Sequence, residues 1–141
     1  REKVLELSSQ ELGELTGKKV LVLGLAFKPD SDDMRDSPSL NIALRLARAG
    51  AEVTVHDPVS LSALGDTHEE LIREQDLMLA ARNKDLVILG TEWAEYKAIS
   101  PAEFGELVSN KLIIDGRNVL DVESWQSAGW RLIALGRNVH N

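Results

Sequence analysis

The chain has 141 residues, 43% hydrophobic and 28% charged, a length and balance that suit one globular domain burying roughly two thirds of its unfolded surface. A formal net charge of −7 excludes a phosphate-backbone binder, which needs a basic face, although two or three converging cations suffice for a small phosphorylated ligand. The lack of cysteine removes disulfides, thiolate metal sites and cysteine nucleophiles, and His56, His68 and His140 are too scattered to suggest a metal site.

Residues 1–16 carry Leu5, Leu12 and Leu15 on roughly one helical face, with Gly17 as the stop. The apolar run Lys19–Leu23 predicts a buried strand. A loop of about a dozen residues follows, longer than the roughly 2–6 usual for such connections. It holds the cations Lys28 and Arg35 among four aspartates, Asp30, Asp32, Asp33 and Asp36. Ser37 as N-cap and Pro38 in the first turn then open a helix. Its inner face is Leu40, Ala43, Leu44 and Ala47, and Gly50 ends it. Glu52–His56 forms a second strand, closed by Asp57-Pro58, and residues 67–82 read as a helix with a Thr67/Glu70 capping box.

The third strand is Leu86–Leu89, followed by Thr91-Glu92-Trp93; Ser100 and Glu103 cap a short helix after it. The fourth, Leu112–Ile114, leads into Asp115-Gly116-Arg117-Asn118. A helix capped by Asp121 runs to about Ala128, and Trp130–Leu135 makes the fifth strand. No stretch approaches the ~18 uninterrupted apolar residues of a membrane span. No charged start leads into an apolar core, as a secretory leader would have. The expected location is cytoplasmic, with neither membrane nor nucleic acid as partner. The chain opens on Arg1 rather than methionine, which reads as a processed chain or an excised piece of something longer, the piece being the favoured reading.

Uniformly apolar strands alternating with helices predict an α/β fold: a doubly wound, mainly parallel, Rossmann-like sheet with helices on both faces. Ligands in such sheets bind outside the carboxyl ends of the strands. If the order is 3-2-1-4-5, the loops after the first and fourth strands are neighbours, and Lys28 and Arg117 face each other across a crevice suited to a diphosphate. Equally, Lys28 reads as a solvated cation, Arg117 as the partner of Asp115 or Asp121, and Arg35 as a counter-ion to its neighbouring aspartates. Phe27 and Trp93 read as core residues under their loops. Asp57 is where a ribose is often held, but Asp-Pro is also a routine turn opener. No G-x-G-x-x-G follows the first strand, so a dinucleotide pyrophosphate has no usual seat here.

Taken together, Gly24-Leu25-Ala26-Phe27-Lys28-Pro29 with Asp32-Asp33-Met34-Arg35-Asp36-Ser37-Pro38, then Thr91-Glu92-Trp93, then Asp115-Gly116-Arg117-Asn118, resemble the C-terminal domain of the UDP-glucose/GDP-mannose dehydrogenases. The UDP-glucose members are the most similar. The resemblance implies that residues 17–141 form a UDP-sugar-binding domain and residues 1–16 the end of a connecting helical region. It implies that Phe27, Lys28 and Arg117 contact the UDP-sugar, while Arg35 reaches NAD, which an N-terminal Rossmann domain mostly holds. The complete enzymes of this family oxidise the sugar's C6 hydroxymethyl to a carboxylate with two NAD, through a covalent cysteine intermediate, and a homodimer is expected.

The catalytic cysteine of the family has no counterpart in this chain. The expected role is therefore substrate clamping within a larger oxidoreductase, with no catalysis by these residues alone. A GDP-mannose or UDP-N-acetylsugar dehydrogenase of the same family is the nearest alternative. A non-catalytic interaction domain or a receiver-like signalling module is the alternative of another class. The receiver lacks its acids after the first strand and its aspartate after the third.

Overall fold

Strands apolar on both sides need cover on both faces, and the sheet receives it. The structure, a computed structural model, describes residues 2–26 and 37–135. Its elements are α1 (Glu2–Leu12), β1 (Lys19–Leu23), α2 (Pro38–Arg48), β2 (Glu52–His56), β3 (Leu71–Arg73), α3 (Leu77–Ala81), β4 (Leu86–Leu89), α4 (Ala94–Lys97), α5 (Pro101–Leu107), β5 (Leu112–Asp115), α6 (Val122–Ser127) and β6 (Arg131–Ala134), with a 3-10 turn at Ser60–Leu64. The strands form one sheet in the order β3-β2-β1-β4-β5-β6, parallel at every pairing.

Alternation along β1 feeds two cores. Val20 and Val22 enter one with Val4 and Leu7 of α1 and with Ile42, Ala43 and Leu46 of α2. Leu21 and Leu23 enter the other, with Tyr96, Phe104, Trp125 and Trp130 from the helices of the opposite face and the turn before β6. Trp130 stacks on Phe104 at 6.2 Å and meets Trp125 edge-on at 4.9 Å. Its indole N–H donates to the Pro101 carbonyl at 2.9 Å, so the buried ring leaves no donor unpaired.

Local chemistry explains most of the boundaries. Ser37 caps α2 by accepting from Leu40 N–H at 3.1 Å, Pro38 takes the first turn, and Gly50 follows the C-cap Ala49. Ser100 caps α5, its Oγ accepting from Glu103 N–H at 3.3 Å. Asp121 stands at the start of α6 but spends its carboxylate on the Ser124 hydroxyl instead.

Three expectations need correction. Residues 67–82 are not one helix: β3 and α3 occupy the stretch, and Asp76 rather than Thr67 caps α3. Thr67 donates to the Leu64 carbonyl, closing the 3-10 turn. The added strand makes six rather than five, and the expected order is overturned: Leu71–Arg73, not Leu86–Leu89, lies outside β2. Leu86–Leu89 is the neighbour of β1, and it separates β1 from Leu112–Asp115. The loops after β1 and β5 therefore flank the turn after β4 instead of adjoining. Finally, α1 ends at Leu12, with Gly13 just beyond it, rather than at Gly17.

Candidate functional site

The strand order reverses between β1 and β4, which makes their carboxyl ends the switch point of the sheet. Two buried carboxylates build the backbone there. Asp57, just past β2 and 4% exposed, accepts from Leu25 N–H (2.7 Å) and Ala26 N–H (3.2 Å) with one oxygen, and from Val59 N–H (2.9 Å) and Ser60 N–H (2.7 Å) with the other. Asp115, at the end of β5 and 0% exposed, does the same for Arg117 (2.9 Å), Asn118 (2.8 Å), Val119 (2.9 Å) and Leu120 (2.9 Å). A carboxylate has about four lone-pair sites, and both are saturated by main chain. Asp57 is accordingly a bracket for the exit of β1 and has no acceptor left for a ribose.

The stems of the long loop are tied to one another and to β4. Ser37 Oγ donates to the Leu25 carbonyl at 2.5 Å, and Thr91 Oγ1 donates to the Ala26 carbonyl at 3.0 Å. The contacts leave no room: a Cβ on Gly90 would lie 2.0 Å from Ser39 Oγ, and one on Gly24, which has φ +92°, would lie 2.5 Å from Thr91 Cβ. Beside this packed seam is a cavity of about 90 Å³ lined by Pro38, Ser39, Gly90, Gly116 and Arg117, with Val4, Ile42, Ile88, Leu89 and Leu135 behind. The first turn of α2 and Arg117 thus line one hollow.

Of the expected site residues, Arg117 stands at this edge. Phe27, Lys28 and Arg35 lie outside the described residues. The guanidinium pairs with neither Asp115 nor Asp121: its Nη2 lies 3.3 Å from Oε1 of Glu92, with both side chains 37% exposed. Trp93, the next residue, is buried under its turn as expected.

A second hollow was not foreseen. Its volume is about 320 Å³, and His56, Asp57, Ser62, Gln75 and Glu95 line it together with Val59 and Leu61. Buried His56 contacts Tyr96 Oη through Nδ1 at 2.8 Å and the Gln75 carbonyl through Nε2 at 3.2 Å, with Glu95 3.6 Å from Nε2. A carbonyl only accepts, so the neutral ring carries its proton on Nε2, and the single Tyr96 hydroxyl proton is shared between Nδ1 and the His56 carbonyl, which lies 3.1 Å from Tyr96 Oη. Burial lowers the His56 pKa, with Glu95 the main opposing influence, and burial raises that of Tyr96. Nothing in the local sequence marks this pair, since Tyr96 lies 40 residues away.

Residues 21–122 match the UDP-glucose/GDP-mannose dehydrogenase family, UDP binding domain. The chain belongs to this family. The matched region takes in the stems of the long loop, the Glu92 turn and the Arg117 turn. A UDP-glucose 6-dehydrogenase of Bacillus subtilis is 33% identical over 135 residues, which are 95% of this chain and 31% of that protein. One of Rhizobium meliloti is 35% identical over 125 residues, 89% of this chain and 29% of that protein. Among solved structures, an NDP-N-acetyl-D-galactosaminuronic acid dehydrogenase from Methanosarcina mazei superposes with a TM-score of 0.81 at 28% identity, covering 96% of this chain and 28% of that one. A UDP-glucose dehydrogenase from Pyrobaculum islandicum gives 0.76 at 30%, covering 94% and 28%. The chain therefore spans less than a third of the length of each of these four proteins.

Proposed function

We propose that this chain is the substrate-clamping domain of an NAD-dependent UDP-glucose 6-dehydrogenase, gripping the UDP part of the sugar nucleotide at the carboxyl edge of its sheet. The observation that carries the reading is the seat of Arg117. Its backbone is clamped by Asp115 and the residue lines the hollow at the start of α2, where a planar fork suits a phosphate group. Lys28 and Phe27 complete the grip in this reading, and residues 17–141 form the domain, with α1 belonging to the end of a connecting helical region.

The hollow of about 90 Å³ is far below the roughly 300–1,000 Å³ of a full small-molecule site. That size suits one wall of a cleft whose other wall is contributed by the rest of the enzyme. The described edge does not fit NAD in the manner of a dinucleotide-binding sheet, because the first connection has no glycine fingerprint and Asp57 has no free acceptor. In this proposal NAD is held by the remaining domains, touched here only by Arg35. Without a cysteine these residues hold no covalent intermediate, so their contribution is to orient the sugar. A cytoplasmic homodimer is the proposed form of the complete enzyme.

Protein-observed NMR of the chain titrated with UDP, UDP-glucose and GDP-mannose tests the reading. Shifts centred on residues 26–37 and 115–118, stronger with the uridine nucleotides, are expected. Preference for GDP-mannose, or no shifts at millimolar ligand, overturns it.

A further inference from the structure

We infer that Glu92 is a built-in counter-ion that occupies Arg117 in the free protein and is displaced by the phosphate of the ligand, so that it sets how tightly the site takes an anion. This inference rests on the function proposed above for Arg117. Both ends of the pair are held by rigid turns at the ends of adjacent strands. Thr91, on one side of Glu92, is bonded to Ala26 at 3.0 Å, and Trp93, on the other, is buried. Arg117 is fixed through its own amide to Asp115, and Gly116 N–H donates to the Leu89 carbonyl at 3.0 Å, which locks the two turns side by side. The sheet register, pairing Leu89 with Asp115, therefore brings the carboxylate and the guanidinium together.

The contact falls on Nη2, at 3.3 Å. That nitrogen carries two N–H groups, one on each two-pronged face of the guanidinium, and Glu92 takes one of them, so a phosphate gripping that face competes with Glu92 for it. The competition is modest, because a half-exposed, single-pronged ion pair is a weak one. A weak partner is what a displaceable stand-in requires: it keeps the cation compensated beside the hollow without closing the site.

The test is a double-mutant cycle on the full chain, with UDP and inorganic pyrophosphate as probes, read by calorimetry or NMR titration. Glu92→Gln keeps the shape and removes the charge; it should tighten UDP binding about two- to fivefold. Arg117→Ala should weaken binding about tenfold, and in that background Glu92→Gln should have no further effect. Glu103→Gln, on the exposed side of α5, removes the same charge elsewhere and should leave affinity unchanged.

If Arg117→Ala weakens binding but Glu92→Gln leaves it unchanged or weaker, the inference falls and the proposed function stands. Equal tightening by Glu103→Gln, or tightening that persists without Arg117, also overturns it, since net charge alone then explains the effect. Failure of UDP to bind any form removes both. Binding to Glu92→Gln alone supports both.

Discussion

Asp57 and Asp115 show how much of an α/β edge can hang on single side chains. Each is a buried charge whose solvation is replaced by four main-chain donors, an exchange that holds only while both oxygens can accept. Asn at position 57 presents an amide nitrogen to donors that need an acceptor. Asp57→Asn should cost about 2–5 kcal/mol, with a fall in melting temperature on the order of 10 °C. Thermal unfolding followed by circular dichroism measures it, and a melting temperature within a degree or two of wild type would show that the amides find other partners. Asp115 was legible in sequence as part of a motif, yet its role was not. The motif carries three polar side chains, Asp115, Arg117 and Asn118, without saying which one turns inward.

Among the elements, α2 is the one whose start serves two purposes. Ser37 Oγ accepts from Leu40 N–H and donates to the Leu25 carbonyl, so one hydroxyl caps the helix and ties the two stems of the long loop. Ser37→Ala loses the cap and leaves a buried carbonyl unpaired. A loss of about 1–3 kcal/mol is expected, seen as a lower urea midpoint with an unchanged slope. An unchanged midpoint would mean that neither bond contributes. The cap and its following proline were plain in the sequence because that chemistry is local. β3 was not legible, for the opposite reason. Leu71-Ile72-Arg73 is three residues with Ile72 exposed, too short for a period, and it becomes a strand because Val53 to Val55 of β2 offer it a ladder.

At the scale of the whole molecule, His56 connects parts that are remote in sequence: β2, Tyr96 of α4, and Gln75 between β3 and α3. Burial depresses its pKa below the ordinary 6.5, against the opposing charges of Glu95, Asp57 and Asp76. For such a base the unfolded chain binds more protons than the native state once the pH drops below the unfolded pKa, so stability rises with pH through that window. The benefit is complete above about 7 and is lost progressively as pH falls toward about 5. His56→Gln should flatten this part of the stability curve relative to wild type, as measured by denaturant unfolding between those pH values. Parallel curves for the two proteins would mean that His56 titrates alike when folded and unfolded.

Apolar strands alternating with capped helices were enough to establish a doubly wound parallel sheet, because covering both faces of a strand demands continuous hydrophobicity and leaves a pattern anyone can count. The helix starts at Ser37 and Ser100 and the chemistry of the Arg117 turn came from the same local rules. The neighbours of Arg117 did not. Glu92 reaches it only because β4 inserts between β1 and β5, and strand order is set by long-range packing that no short window of residues contains. Asp57 as a bracket, the shared hollow at the start of α2 and the His56–Tyr96 pair are likewise products of contacts spanning tens of residues, and such contacts exist only once the sheet has closed on its helices.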